Sequence, residues 1–177
     1  RLAQHRSASG QLTGVAVSTE QIYNEFNNGI LNPQAIKDFL TYTYENWQPP
    51  APRFGVLFGD ASWDFKNKTR GSAKQNFVPS MGNPVSDALL VCLDGEDDVL
   101  PDMSIGRLPA QSAEHAQLIV DKIIEYDQIG SARWRKRFLF ITGGFNDYEQ
   151  QQFDRQSEEL IEDFVQASPV YGEVGRV

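Results

Sequence analysis

The chain is predicted to be an α/β protein in which a mostly parallel sheet is flanked by helices. Short continuous apolar runs, as at 55–58 and 138–142, are typical of strands buried on both faces of a sheet. Longer segments with apolar residues at helical spacing lie between such runs. Strands that alternate with helices in this way usually pair in parallel.

The elements upstream of residue 54 begin with a predicted short strand at Leu12–Val17, where apolar residues alternate. Ser18 is placed as the N-cap of one or two helical turns, and Gln21 completes a capping box. Asn32 and Pro33 predict the start of a helix over 33–47, since Asn caps well and Pro at the first helical position loses no needed donor. A proline-rich stretch then ends that helix.

The middle of the chain is predicted to contain three strands and one long loop. Residues 55–58 form the first strand, and the polar, glycine-containing segment 60–84 forms the loop. Loops of that length in compact domains are usually functional or mobile. Ala88–Leu93 and Met103–Ile105 are predicted as the next two strands.

The last third is predicted to hold two helices and one strand. A helix over 112–129 has one apolar face, and Gly130 follows it where a C-cap belongs. Phe138–Thr142 is an apolar strand that two glycines break, and a last amphipathic helix covers 153–165.

The length, net charge and hydrophobicity of the chain limit the kinds of partner that it is expected to bind. The 177 residues suffice for one domain with a real core, and the formal net charge of −8 disfavours nucleic acid and anionic membrane surfaces. No apolar run approaches the roughly 20 residues that span a bilayer. Because the chain begins at Arg1 without Met or a signal peptide, we expect upstream sequence to have been removed or not supplied. A single cysteine forbids an internal disulfide.

The sequence offers few candidate nucleophiles and bases. Cys92 lies inside the apolar run LLVCL, where a cysteine is most often a small buried hydrophobe. The two histidines, His5 and His115, lack neighbours that would make either an activated base. A catalytic pair built from Cys92 is therefore disfavoured, and the common hydrolase, metalloprotease and nucleotide-binding motifs are absent from the sequence.

An acidic loop is the candidate metal site. Five acidic residues fall within nine positions, and Gly95 among them permits a tight turn. Calcium prefers several oxygen ligands from one flexible loop, so the predicted side-chain donors are Asp94, Glu96, Asp98 and Asp102. The run loosely resembles D-x-D-G-D calcium loops, although Cys92 stands at the first ligand position. A solvated acidic turn is the alternative.

Asp87 is the candidate binding residue. It begins a predicted strand directly after the long loop, where α/β sheets place functional side chains. An aspartate at a strand start is also commonly a cap or turn residue. The residues alone leave both roles open.

The order of these segments resembles the first part of the catalytic domain of the gingipain-type cysteine peptidases, a caspase-like family. The resemblance runs from EQIYNEF and NPQAIKDFL through FGDASWD and SDALLVCLDGEDDVLPDMSIGRLP to RFLFITGGFND. The family includes arginine- and lysine-specific secreted proteases and the type IX secretion-system sortase. The resemblance implies a truncated two-subdomain architecture. Residues 1–131 would form the first, non-catalytic α/β subdomain, and 132–177 would start the second, caspase-like one.

The resemblance also implies where the chemistry lies. The family's catalytic His, in a His-Gly step, and its Cys, after a later strand, would both come from sequence beyond this chain. Ser86-Asp87 matches a step whose acidic residue contacts a basic substrate side chain or supports the catalytic His, which makes Asp87 the expected substrate-binding residue. Asp60 and Asp64 match a further family pattern of less clear role.

Three functions follow as hypotheses. The first is a portion of a gingipain-type cysteine endopeptidase or sortase, acting on protein or peptide substrates in a secreted or cell-surface bacterial location. This chain alone would then be inactive. The second is a non-catalytic binding or interaction module of the same fold. The third is a metal-dependent α/β enzyme that uses the acidic loop. Calcium is the only cofactor for which the sequence gives a reason.

Overall fold

The computed structural model describes residues 1–8, 10, 12–62, 64, 66, 68–69, 75–95, 97–130, 132–168 and 170–176. The chain divides into two compact units, Arg1–Ile124 and Glu125–Val177. The boundary expected near Ser131 falls on a residue outside the described ones, and its assignment to peptidase subdomains stays a prediction. Among the described residues, no helix is both long and apolar enough to cross a membrane.

Among its described residues, the first unit contains four helices, two strands and a short 3₁₀ helix. The helices are α1 (Leu2–Ala8), α2 (Thr19–Asn27), α3 (Pro33–Asn46) and α4 (Ala113–Gln128), the last of which continues into the second unit. The strands are β1 (Phe54–Phe58) and β2 (Ser104–Leu108), and the 3₁₀ helix is Asp87–Val91. β1 and β2 pair in parallel, with Phe54 opposite Ser104 and Phe58 opposite Leu108.

The second unit contains a second parallel pair of strands. Its elements are a 3₁₀ helix (Arg133–Lys136), β3 (Arg137–Phe140), α5 (Asp147–Leu160), a π-helical segment (Ile161–Val165) and β4 (Glu173–Arg176). β3 and β4 pair in parallel, separately from the first sheet. The prediction of parallel pairing is confirmed in both sheets.

Capping side chains set the helix starts that the sequence predicts. The Ser18 hydroxyl accepts the backbone N–H of Gln21 at 3.2 Å, and the Gln21 side chain accepts the backbone N–H of Ser18 at 3.1 Å. At the next helix, the Asn32 side chain accepts the backbone N–H of Gln34 at 3.0 Å. These bonds satisfy amides that the helix itself leaves without partners, so the predicted capping box and Asn-Pro start are confirmed.

Two predicted strands are wrong. Leu12–Val17 is extended but pairs with no strand among the described residues, and its apolar side chains Leu12, Val15 and Val17 are exposed. Ala88–Leu93 lies largely in the 3₁₀ helix Asp87–Val91. The Ser86 hydroxyl accepts the backbone N–H of Ala88 and starts this helix. A short apolar run buries equally well as a strand or a helix, and here the cap decides.

The core of the first unit lies where α2 and α3 meet β1 and the 3₁₀ helix. Its buried residues come from all of these elements and from the end of the long loop: Ile22, Tyr23, Ala35, Ile36, Leu57, Val78 and Leu90. Phe26 and Phe39 pack edge to face, with ring centroids 5.9 Å apart, at the rim of this cluster. The core thereby holds the 3₁₀ helix against α2, α3 and the first sheet.

Replacing Leu90 by alanine should lower the free energy of unfolding by about 2–5 kcal/mol, because a fully buried leucine leaves a cavity. Denaturant unfolding followed by circular dichroism measures the change. Leu118, on the same unit and largely exposed, gives the matched Leu118→Ala control, which should change little. Equal losses in the two variants would contradict the assignment of Leu90 to the core.

Candidate functional site

The candidate site lies at the carboxyl ends of β1 and β2. Arg107 is the penultimate residue of β2 and stands opposite Leu57, a core residue, in the strand register. Its guanidinium lies beyond the strand ends, where α/β sheets usually gather functional side chains. The side chain is 15% exposed.

Arg107 and Asp87 form a two-point ion pair. Arg107 Nε donates to Asp87 Oδ2 at 2.8 Å, and an Nη of the same guanidinium donates to Asp87 Oδ1 at 2.7 Å. The planar guanidinium matches the two oxygens of a carboxylate, which makes this the strongest common form of such a bond. The side chain of Asp87 is 25% exposed, so water screens the pair only partly.

The other Nη of Arg107 binds two backbone carbonyls. It donates to the Gly59 carbonyl at 2.8 Å and to the Val78 carbonyl at 2.7 Å. Ser80 adds a third hydrogen bond to Asp87, because its hydroxyl donates to Oδ1 at 2.6 Å. One arginine thus joins the end of β1, the end of the long loop and the start of the 3₁₀ helix.

The Arg107 hydrogen bonds hold the pKa of Asp87 below its usual range, and the Ser80 hydroxyl acts in the same direction. A carboxyl whose pKa falls on folding contributes stability above its unfolded pKa, which is about 3.9. That contribution is lost as the pH falls through the lower pKa of the folded state. Asp87 is therefore an ionised carboxylate throughout the neutral range.

Gly59 is required at the end of β1 for steric reasons. Its φ of +152° lies in a region that side chains rarely allow, and an added Cβ would meet Phe77 Cβ at 2.7 Å. The chain bends at Gly59, and the Asp60 carbonyl accepts the N–H groups of Phe77 and Val78. The Gly59 and Val78 carbonyls both accept hydrogen bonds from Arg107.

The side chains of Asp60 and Asp64 bond to backbone and amide groups nearby. Asp60 accepts the Ala61 N–H and the Gln111 side-chain amide, each at 2.9 Å. Asp64 is buried and accepts the N–H groups of Lys68 at 3.0 Å and Thr69 at 2.6 Å. Both carboxylates therefore organise the loop that leads to the Arg107 site.

Three of the four predicted metal donors lie together. Asp94, Asp98 and Asp102 each offer a carboxylate oxygen, and these oxygens lie within 4.8 Å of one another. Glu96, the fourth, lies outside the described residues. Oxygens on opposite sides of a calcium ion, each about 2.4 Å from it, lie about 4.8 Å apart. The spacing of the cluster therefore fits a calcium ion.

Backbone amides already bind part of this acidic cluster. Asp98 accepts the N–H groups of Leu100 at 2.9 Å and Asp94 at 3.2 Å, and the Leu100 bond is the main cause of its lowered pKa. Asp102 accepts the Leu93 N–H at 2.8 Å. Each carboxylate retains free lone pairs, so these bonds shape the loop and leave room for a cation.

The Cys92 thiol is buried, and burial raises its pKa. Its Sγ donates to the carbonyl of Ala88, four residues earlier in the 3₁₀ helix, at 3.3 Å. A nucleophilic cysteine needs a lowered pKa and access to solvent. The reading of Cys92 as a structural residue agrees with both features.

A groove of about 830 Å³ lies at the opposite, amino ends of β1 and β2. It runs between residues 50–54 and 101–105, with Tyr44 and Ala88 completing its wall. Asp102 of the acidic cluster is part of its lining, whereas Asp87 and Arg107 are not. This groove is therefore distinct from the charged site at the carboxyl ends.

Sequence reasoning found Asp87 but missed both of its side-chain partners. Arg107 lies between glycine and leucine in the strand SIGRL, in register with a core residue. A charged residue at such a position needs a partner. The sequence does not single out Asp87 as that partner, since Asp102 is nearer along the chain. Ser80 lies in an ordinary loop pattern and gives no signal either.

The described strands and helices make this an α/β protein whose strands pair in parallel. The chain belongs to peptidase family C25, whose family model matches residues 1–174. No curated protein matches the chain.

One solved structure extends this comparison. The chain is similar to the crystal structure of dimeric latent PorU from Porphyromonas gingivalis, with a TM-score of 0.61 and 21% sequence identity. The match covers 85% of this chain and 18% of that chain. At this identity the likeness concerns the fold, and it confirms the predicted α/β, gingipain-like class. The chain spans less than a fifth of the length of PorU.

Breaking the Asp87–Arg107 pair should lower the free energy of unfolding by about 1.5–3 kcal/mol, the cost of a lost hydrogen bond to a charged group. Asp87→Asn, Arg107→Met and their double variant, compared by denaturant unfolding, give the coupling between the two residues. The Arg176–Glu158 pair has the same two-point geometry, but its side chains are about half exposed. Its variants Arg176→Met and Glu158→Gln should change stability little. Similar coupling in the two pairs would contradict this assignment.

Proposed function

We propose that the chain is the first part of the catalytic domain of a gingipain-type cysteine endopeptidase or sortase, and that sequence outside it supplies the catalytic His and Cys. The match to peptidase family C25 over 1–174 is the observation that carries the proposal. The partial coverage of PorU agrees with a larger parent protein. The buried Cys92 thiol, with its raised pKa, supports placing the nucleophile elsewhere.

Asp87 is proposed to contact the substrate. Its carboxylate lies at the carboxyl ends of the strands, is partly exposed and stays ionised at neutral pH. Arg107 and Ser80 fix its orientation from one side. A carboxylate held in this way presents its remaining lone pair in a constant direction, which suits a hydrogen bond to a substrate group.

Protein or peptide substrates follow from the peptidase family, and a secreted or cell-surface bacterial location follows from the resemblance to gingipain-type proteins. Both belong to this proposal. They are tested together by locating the protein in fractionated bacterial cultures and assaying each fraction on peptides. Peptidase activity found only in the cytoplasmic fraction would support the peptide substrates and contradict the secreted or cell-surface location.

Cys92→Ala should leave the peptidase activity of the intact protein within about twofold of wild type, because a buried thiol with a raised pKa is a poor nucleophile. The control replaces the Cys that follows a strand in the downstream sequence, and that change should abolish turnover. Activity is measured as kcat/KM on peptides with Arg, Lys and uncharged residues before the cleaved bond. Loss of turnover in Cys92→Ala, with folding retained, would contradict the proposal that the nucleophile lies outside this chain.

Calcium is proposed as a structural ligand of the acidic cluster, held by Asp94, Asp98 and Asp102, with Glu96 as the fourth expected donor. The supporting observation is the convergence of three carboxylate oxygens within 4.8 Å. A cation there would offset the mutual repulsion of these carboxylates and fix the loop between the 3₁₀ helix and β2. The resulting role is stabilising, with no part in bond cleavage.

Millimolar calcium should raise the melting temperature of the protein by at least about 2 °C, because a ligand that binds only the folded state stabilises it. Asp102→Asn should reduce the shift. Asp121→Asn on α4 is the matched control, outside the cluster, and should keep the shift in full. Magnesium at the same concentration should have a smaller effect, since it demands a stricter geometry. An unchanged melting temperature in calcium would contradict the proposal and identify the acidic cluster as a solvated turn that binds no calcium.

A further inference from the structure

We propose that the segment RWRKR of the second unit is a docking surface for an acidic, carboxylate-rich segment of a partner protein. This basic surface, as we call it, lies at the amino end of β3 and consists of Arg133, Trp134, Arg135, Lys136 and Arg137. The inference goes beyond the proposed peptidase function and does not depend on it.

The basic surface differs in charge from the rest of the molecule. It has four cations within five residues, whereas the whole chain has a formal net charge of −8. A long polyanion or a charged membrane would also come close to the acidic remainder of the chain, which repels it. A short acidic segment touches only the basic surface, and physiological salt screens charges that lie more than about 8 Å away. The charge distribution therefore favours a short acidic peptide over nucleic acid or lipid.

One carboxylate of the chain already binds to the basic surface. Arg133 Nε donates to Glu173 Oε1 at 2.7 Å, and Arg137 Nε donates to Glu173 Oε2 at 3.3 Å. Arg137 and Glu173 lie opposite each other at the starts of β3 and β4. The Arg133 hydrogen bond is the main cause of the lowered pKa of Glu173. Two guanidiniums thus hold one ionised carboxylate between them, which is the arrangement that a carboxylate from a partner would need.

The cations of this surface retain donors for a partner. The Arg133 and Arg137 side chains are 82% and 68% exposed, and Glu173 takes only part of the five N–H groups of each guanidinium. Lys136 is exposed and has no ion-pair partner in the part of the chain that the structure describes. The 3₁₀ helix has three residues per turn, which places Lys136 on the same side as Arg133. The surface can therefore bind more carboxylates than the one it holds.

Two aromatic rings give the surface an apolar component. Trp134 and Tyr126 are each about half exposed, and their ring centroids lie 5.6 Å apart in an edge-to-face arrangement. Arg135 holds Tyr126, since its guanidinium carbon lies 4.0 Å from the centre of that ring and an Nη donates to the Tyr126 carbonyl. Tryptophan, tyrosine and arginine are the residues most enriched at the energetic centres of protein interfaces. An acidic segment with an aromatic residue fits this surface better than one of acidic residues alone.

The test measures binding of the intact protein to a short fluorescent peptide that has a central phenylalanine between runs of glutamate. Fluorescence anisotropy gives the Kd. The double variant Arg133→Met, Arg137→Met should raise the Kd by about tenfold or more, because it removes two cations that contact carboxylates. Arg155→Met is the matched control on α5, where an exposed Arg155 pairs with Glu159, and it should leave the Kd unchanged.

Glu173→Gln separates docking from a purely structural role of the two arginines. The variant removes the internal carboxylate that competes for Arg133 and Arg137, so the Kd for the acidic peptide should fall by about threefold or more. If the arginines served only to hold the start of β4, Glu173→Gln would leave the Kd unchanged. That result would overturn the inference.

Further ligands distinguish the classes of partner. The same peptide with glutamine in place of glutamate, a single-stranded oligonucleotide and vesicles that contain phosphatidylglycerol should all bind more weakly at physiological salt. Tighter binding of the oligonucleotide or the vesicles, or no binding of the acidic peptide at millimolar concentration, would overturn the inference. Trp134→Ala should raise the Kd by about threefold or more, and it keeps the inference testable together with Glu173→Gln if the double variant does not fold.

Discussion

The contact between Arg107 and Asp87 is the interaction on which the first unit depends. In the part of this unit that the structure describes, β1 and β2 are the one pair of hydrogen-bonded strands, so no wide sheet joins its segments. The loop, the 3₁₀ helix and the end of β1 meet instead around a single guanidinium. A planar group with donors on three sides can hold three segments at fixed angles, which an apolar side chain cannot do. The Arg107–Asp87 contact thereby adds to the packing of the helical core in holding these segments together.

Local signals in the sequence were sufficient to predict the helices and the parallel pairing of the strands. Ser18 with Gln21, and Asn32 with Pro33, act within a few residues, so their effect does not depend on the rest of the fold. The run after Asp87 was different, because its residues are apolar in either conformation. Its helical form depends on Ser86 as a cap and on a distant arginine that holds Asp87. Sequence periodicity carries no information about such a long-range contact.

The same distinction applies to the site. The acidic loop could be located from its composition, since its donors lie close together in the chain, and three of them also lie together in the structure. Asp87 could be singled out from its position after a loop. Its partner lies 20 residues away, and Ser80 lies 7 residues before it. Only the register of β2 shows that Arg107 faces the core side of the sheet.

The long reach of Arg107 has a consequence for synthesis on the ribosome. The Gly59 carbonyl is made 48 residues before the side chain that binds it. At about 5–20 residues per second, β1 and its loop wait roughly 2–10 s for β2 and Arg107 to emerge. During that interval the apolar β1 has no strand partner, and its unpaired edge is open to other chains. The early helices α2 and α3, whose contacts are local, are complete by then and can shield one face of the nascent strand.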